Sequence, residues 1–171
     1  MKAANDLFSK ANLSGAPDKL TLVIDPLIDG VTGWQSNATR LEEKRVVELV
    51  EKNYPRFRVA RFSTQSLAKA PIVLIGTFTA VNNAGVAGGP KDAYRICLAL
   101  ADLKSKTIIS KGVSRALPEG VDPTPAASLE NTGLSAKNAA GVGSTPSGSA
   151  RATPLEMIVL VFRSASARQI R

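Results

Sequence analysis

The sequence predicts an α/β (α+β) sandwich: a mixed sheet of four or five strands with two helices packed on it and a flexible C-terminal tail. Three observations predict it. Leu20-Thr-Leu-Val-Ile-Asp-Pro-Leu-Ile28 is a short apolar run bounded by turn residues, the pattern of a strand covered on both faces. Residues 37 to 54 carry Val46, Val47, Val50 and Tyr54 mostly at spacings of three and four, which is an amphipathic helix. Tyr94, Ile96, Leu98 and Leu100 alternate with Ala93, Arg95, Cys97, Ala99 and Ala101, a two-residue period that belongs to a strand with one heavy face.

The elements follow in order. Residues 3 to 13 place Ala4, Leu7, Phe8 and Ala11 on one helical face, and Ser14-Gly15-Ala16-Pro17 stops the helix, with Gly15 as its expected C-terminal cap. In the first strand Leu20, Leu22 and Ile24 share one side. Pro26 has no N–H to give to a ladder, so regular pairing should falter there. The turn Asp29-Gly-Val-Thr-Gly-Trp-Gln35 leads to the long helix, capped by Ser36 or Asn37. Pro55 ends that helix. Phe57 to Phe62 reads as a second strand, residues 63 to 70 as a connector, and Pro71 to Ala80 as a third strand. Residues 81 to 91 form a Gly-rich loop. A strand over 92 to 102, a turn at Leu103 to Lys106 and a last strand over Thr107 to Val113 complete the sheet.

The composition then changes. The expected organisation is a folded module over 1–116, a Pro/Gly/Ser/Ala-rich linker over 117–154, and an apolar run with a basic end over 155–171. The apolar run is too short to span a bilayer. The start of the chain lacks the apolar region of a signal peptide, so the expectation is a cytoplasmic product if Met1 is the true start.

The net charge of +8 raises the question of an anionic partner. Half of the excess lies after Asn131, where Lys137, Arg151, Arg163, Arg168 and Arg171 face only Glu156. The folded part has no Lys/Arg stripe interleaved with aromatics, so nucleic-acid binding stands as an alternative and not as the main reading. The chain has no histidine, which removes Ser-His-Asp and Cys-His catalysis and His-ligated zinc. Cys97 is the single cysteine, so no intrachain disulfide forms, and its mid-strand position predicts a small buried apolar group.

Gly85, Gly88 and Gly89 are not followed by Gly-Lys-Ser/Thr, and a strand comes next, so they read as a turn between strands and not as a phosphate loop. Asp25 and Asp29 flank a strand end, where open α/β sheets often hold ligands. A metal-dependent enzyme built on them is a second alternative, but no third ligand is evident and turn and capping carboxylates are the simpler reading. Trp34 is expected to be a partly buried anchor across the helix start; the other reading is an exposed interaction residue. No catalytic set, metal site or cofactor is predicted. The candidate interaction surface is Asp25, Asp29 and Trp34, with Asn82 and Asn83 in the Gly-rich loop.

Taken over residues 3 to 116, the order of elements resembles a bacterial envelope module, the group that includes the penicillin-binding-protein activator lipoprotein LpoB, the curli secretion lipoprotein CsgG and the N-terminal domain of TolB. The residues that carry the likeness are Val73-Leu-Ile-Gly76-Thr, matching a V-x-x-G-x strand, and the closing hairpin Tyr94-Arg-Ile-Cys-Leu-Ala-Leu-Ala-Asp102-Leu-Lys104 with Ile108. The resemblance implies a non-catalytic protein-interaction or assembly module, located in the periplasm or on the periplasmic face of the outer membrane. The partner it implies is a peptidoglycan synthase or an outer-membrane assembly. Lipoprotein members carry an export signal ending at a lipid-modified cysteine, which this sequence does not show.

Overall fold

The computed structural model describes residues 1–126 apart from 70 and 88. The linker beyond 126 and the apolar run over 155–171 lie outside the described residues. Strand β1 (Leu20–Ile24) is at the heart of the parallel half of the sheet, flanked by β2 (Phe57–Ala60) and β3 (Ile72–Val81). From β3 the sheet continues antiparallel through β4 (Ala93–Asp102) and β5 (Thr107–Ala116), giving the order β2-β1-β3-β4-β5. The sheet is therefore mixed and five-stranded, with helices α1 (Lys2–Ser9) and α2 (Asn37–Asn53) packed on it. A short helix α3 (Thr64–Ala68) joins β2 to β3. Among the described residues no helix is long and apolar enough to cross a membrane.

Alternation builds the core. Leu22 and Ile24 of β1, Leu74 and Phe78 of β3, and Tyr94, Ile96, Leu98 and Leu100 of β4 face one side and are buried. Against them α1 lays Leu7 and Phe8, and α2 lays Val46 and Val50. Phe8 lies 4.9 Å from the Tyr54 ring and 5.2 Å from that of Phe57, so α1 closes over the end of α2 and the start of β2. Each fully buried side chain of this size stabilises the fold by about 1.5–3 kcal/mol. The opposite face of β3 and β4 carries smaller buried groups, including Val73, Cys97, Ala99 and Ala101. Cys97 is thus buried, as its mid-strand position predicts.

The 92–102 segment is a strand along its whole length, paired with β3 from Val81↔Ala93 to Ile72↔Asp102. Regular pairing of β1 falters at Pro26 as expected: it stops at Ile24, and Ile28 then makes a single parallel bridge to Thr77. Other boundaries differ from the sequence reading, and β5 runs on past Val113 to Ala116. Helix α1 ends at Ser9, with Lys10 as its cap, and not at Gly15. Gly15 instead holds a positive φ of 76° within the loop that leads to β1, where the Ala16 N–H donates to the Leu13 carbonyl at 3.1 Å. Strand β2 is shorter than expected and ends at Ala60.

Ser36 is the N-cap of α2. Its hydroxyl accepts from the Thr39 N–H at 3.2 Å, and the Thr39 hydroxyl accepts from the Ser36 N–H at 2.8 Å, a reciprocal capping box. The chain leaving β5 doubles back to satisfy the next free donors of this helix. Asn37 N–H donates to the Thr124 carbonyl at 3.0 Å and Ala38 N–H to the Asp122 carbonyl at 2.9 Å. The Asp122 carboxylate also accepts from the Asn37 side-chain amide at 2.8 Å, and Ala126 N–H donates to Gln35.

Candidate interaction surface

Parallel β1 and β3 end on the same side of the sheet, so the 25–36 excursion and the 82–92 loop leave from one end of the molecule. Asp25 begins the excursion. Its N–H donates to the Leu74 carbonyl at 2.9 Å, and the residue is wholly buried, at 0% exposure. It is therefore an interior group and not part of any outer face. Leu27 N–H and the Gln35 side-chain amide both donate to one oxygen of Glu43, at 3.3 and 3.2 Å, so a single carboxylate on α2 ties down both ends of the excursion. Burial pushes the Glu43 carboxyl above its usual range, and these two hydrogen bonds and the charge of Arg40 offset part of the rise.

Between those ties lies a closed turn. The Asp29 carboxylate accepts from the N–H groups of Val31 and Thr32 at 2.9 and 2.8 Å. The Gly33 N–H donates back to the Asp29 carbonyl at 2.9 Å, and the Asp29 N–H donates to the Trp34 carbonyl at 2.8 Å. Gly33 has a φ of 75°, which its missing Cβ permits. Gly30 lies directly against β3: a Cβ there would overlap the Thr79 hydroxyl, so only glycine lets the turn lie flat on the strand. Asp29 also faces Tyr94, whose hydroxyl is pushed above the ordinary phenol range by burial and then by the Asp29 charge.

The outcome is a braced turn that presents apolar side chains to solvent. Trp34 is 67% exposed and Val31 is 60% exposed. The expectation that Trp34 would pack across the start of α2 is thus overturned. Its neighbours Gln35 and Ser36 are the buried ones, because their groups are claimed by Glu43, Thr39 and Ala126. The indole is left over the edge.

Asn82 and Asn83 sit in the β3–β4 loop, which is a turn between strands as the sequence predicts. Asn82 works for the loop itself, its side-chain carbonyl accepting from Val86 N–H at 2.9 Å. Asn83 N–H donates to the Asp92 carboxylate at 2.8 Å. Arg115, from β5, donates to the backbone carbonyls of both asparagines and to the Asn83 side chain at 3.1–3.3 Å. Asp29 and Trp34 are thereby joined in one turn, and Asn82 and Asn83 in a second at the same end. Among the described residues, no group of three or more His, Cys, Asp or Glu is gathered closely enough to hold a metal ion.

Val31, Glu43 and Arg115 were not singled out from sequence. Val31 had a weak signal, as an apolar residue beside Trp34 in a Gly/Asp/Thr turn. Glu43 and Arg115 had none, since each earns its place only through partners distant in the chain.

No family model matches the chain, and no curated protein sequence matches it. Several solved structures resemble it weakly. The C-terminal domain of LpoB from Salmonella enterica has 12% identity, covering 67% of this chain and 95% of that one, with a TM-score of 0.41. The PelC dodecamer from Paraburkholderia phytofirmans gives 13% identity over 60% and 74% of the two chains, with a TM-score of 0.37. Protein XCC0632 from Xanthomonas campestris gives 9% identity over 92% and 88%, also at 0.37. The likeness is a weak one of fold, with nothing at the level of sequence.

Proposed function

We propose that this chain is a non-catalytic protein-interaction or assembly module of the bacterial cell envelope, acting as lipoprotein activators of peptidoglycan synthases do. The observation that carries the interaction part is the Asp29–Trp34 turn. Leaving a tryptophan and a valine in water gives up burial that would favour the isolated fold, and the turn is braced by four hydrogen bonds that keep both side chains displayed. Rigid, exposed aromatic groups are the anchors on which protein interfaces concentrate their affinity, because little entropy is lost when they are covered. The envelope setting rests on the order of elements and the strand motifs at Val73–Thr77 and Tyr94–Ile108.

The test is affinity capture from bacterial envelope extract with the intact chain and its Trp34→Ala variant. The expected result is capture of a peptidoglycan synthase or an outer-membrane assembly by the intact chain and its loss in the variant. Equal capture by both would refute the turn as the contact. Capture of nucleic acid alone, released steeply by salt, would replace this reading with the basic nucleic-acid binder.

A further inference from the structure

The end of the sheet opposite Trp34 holds a cleft that the interaction surface does not use. Leu20 and Ile72 open the parallel strands β1 and β3, and antiparallel pairing sets Asp102 beside Ile72. Between this end and the loop from α1 to β1 lies a cavity of about 550 Å³ lined by Lys19, Lys69 and Lys104, a size suited to a small molecule. A smaller recess of about 260 Å³ adjoins it, lined by Arg58 and sharing Thr21 and Lys69 with the larger cleft. We infer that this basic cleft is a binding site for a small ligand carrying more than one phosphate group.

The charge balance supports the assignment. Among the described residues, four cations border the two cavities, and Asp102 is the only carboxylate that does. Both Asp102 oxygens are already engaged, one by the Lys104 N–H at 2.8 Å and the other by the Ser105 hydroxyl at 2.9 Å. The ion pairs among the described residues involve Met1, Lys2, Lys44 and Arg45, and none involves a cation of the cleft. Uncompensated like charges around a concave surface raise the local concentration of anions. Flexible ammonium groups suit phosphate as point charges, and a guanidinium adds paired donors.

The rim is built in advance. The Arg56 guanidinium donates to the carbonyls of Leu13, Ala16 and Pro17 at 3.1, 2.8 and 3.3 Å, which fixes the loop over the cleft. The Lys19 ammonium donates to the Pro55 carbonyl at 3.4 Å, anchoring that side chain near the same edge. Two sources offer this chemistry, a soluble polyphosphorylated compound and the headgroup of an anionic lipid.

The experiment is a titration of the full chain with inorganic pyrophosphate at low salt, followed by backbone amide NMR, with a second arm measuring co-sedimentation with phosphatidylglycerol vesicles. Saturable shifts confined to residues 12–21, 58–60, 66–69, 71–72 and 102–109 are expected. The Lys69→Gln/Lys104→Gln double variant should keep the folded spectrum and bind about tenfold more weakly or worse. Lys111→Gln, on β5 away from the cleft, and Trp34→Ala should bind as the parent does, so failure here is separable from failure of the interaction surface. Vesicle binding lost in the same double variant would identify a lipid headgroup as the source, whereas pyrophosphate binding without vesicle binding would identify a soluble ligand. Absence of both, shifts spread over lysines generally, or unchanged affinity in the double variant would overturn the proposal.

Discussion

Replacing Asp29 with alanine should release the turn that displays Trp34 while leaving the fold in place. The substitution removes the carboxylate oxygen that accepts from Val31 and Thr32 N–H at 2.9 and 2.8 Å. Hydrogen bonds to a charged group contribute about 1.5–3 kcal/mol each when protected. Val31 and Thr32 are exposed, so water replaces much of that, and about 1 kcal/mol per bond is the better figure for this site. The total of about 2 kcal/mol corresponds to roughly a 30-fold rise in local opening of the turn. The core of α1, α2 and the sheet does not depend on Asp29, so the fold should persist, with global stability lowered by no more than about the same 2 kcal/mol.

Trp34 is the single tryptophan of the chain and reports the effect directly. Its fluorescence anisotropy should fall in Asp29→Ala, and amide exchange at Gly33 and Trp34 should accelerate. Asp29→Asn keeps a side-chain oxygen at the accepting position and should retain most of the rigidity. Partner capture by Asp29→Ala should drop toward that of Trp34→Ala. Unchanged anisotropy in Asp29→Ala would refute the bracing argument. An Asp29→Asn variant as loose as Asp29→Ala would show that the charge, facing Tyr94, matters more than the hydrogen bonds.

Gly112→Ala should unseat α1, because the added Cβ would overlap the Ala3 carbonyl and press on Leu7. Overpacking of this kind costs about 1–3 kcal/mol, more if Leu7 and Phe8 leave the core, and a lower denaturation midpoint with the far-UV signal of α2 retained would confirm it. Ser36→Ala should lose about 1 kcal/mol through the broken capping box, read by thermal unfolding. Glu43 carries a pH dependence of definite sign: its carboxyl is raised in the fold chiefly by burial, so the fold disfavours its charged form. The resulting cost is absent below the ordinary glutamate pKa and is fully present above the raised folded value. Glu43→Gln should therefore gain stability relative to the parent as pH rises through that window, while still accepting from Leu27 and Gln35. Glu43→Ala leaves the part-buried Leu27 N–H without its acceptor and should cost about 1–2 kcal/mol at neutral pH; equal stabilities for the two variants would contradict this account.

Much of the architecture follows from the chain's local chemistry. Alternation at Tyr94, Ile96, Leu98 and Leu100 marks β4 as a strand despite its alanines, because only a two-residue period puts those four groups into one core. Pro26 ends the pairing of β1 because it has no N–H to give. Ser36 caps α2 because its hydroxyl reaches Thr39, three residues on. These are short-range causes, and they are written within a few residues of where they act.

The candidate surface depended on longer range. Asp29 and Trp34 can be nominated from the turn they flank, but the exposure of Trp34 was set by Glu43 holding Gln35 and by Gly30 lying on β3. Asp25 looks the equal of Asp29 in sequence, and only the packing of β1 beside Leu74 puts it inside. The return of residues 122–126 to the start of α2 and the meeting of Lys19, Lys69 and Lys104 around one cleft likewise involve groups tens of residues apart. The sequence by itself determined the strands, the helices and their order, since these depend on periodicity, caps and breakers. Which side chains were buried and which were left displayed was decided by the tertiary structure, because burial depends on what the rest of the chain brings against each of them.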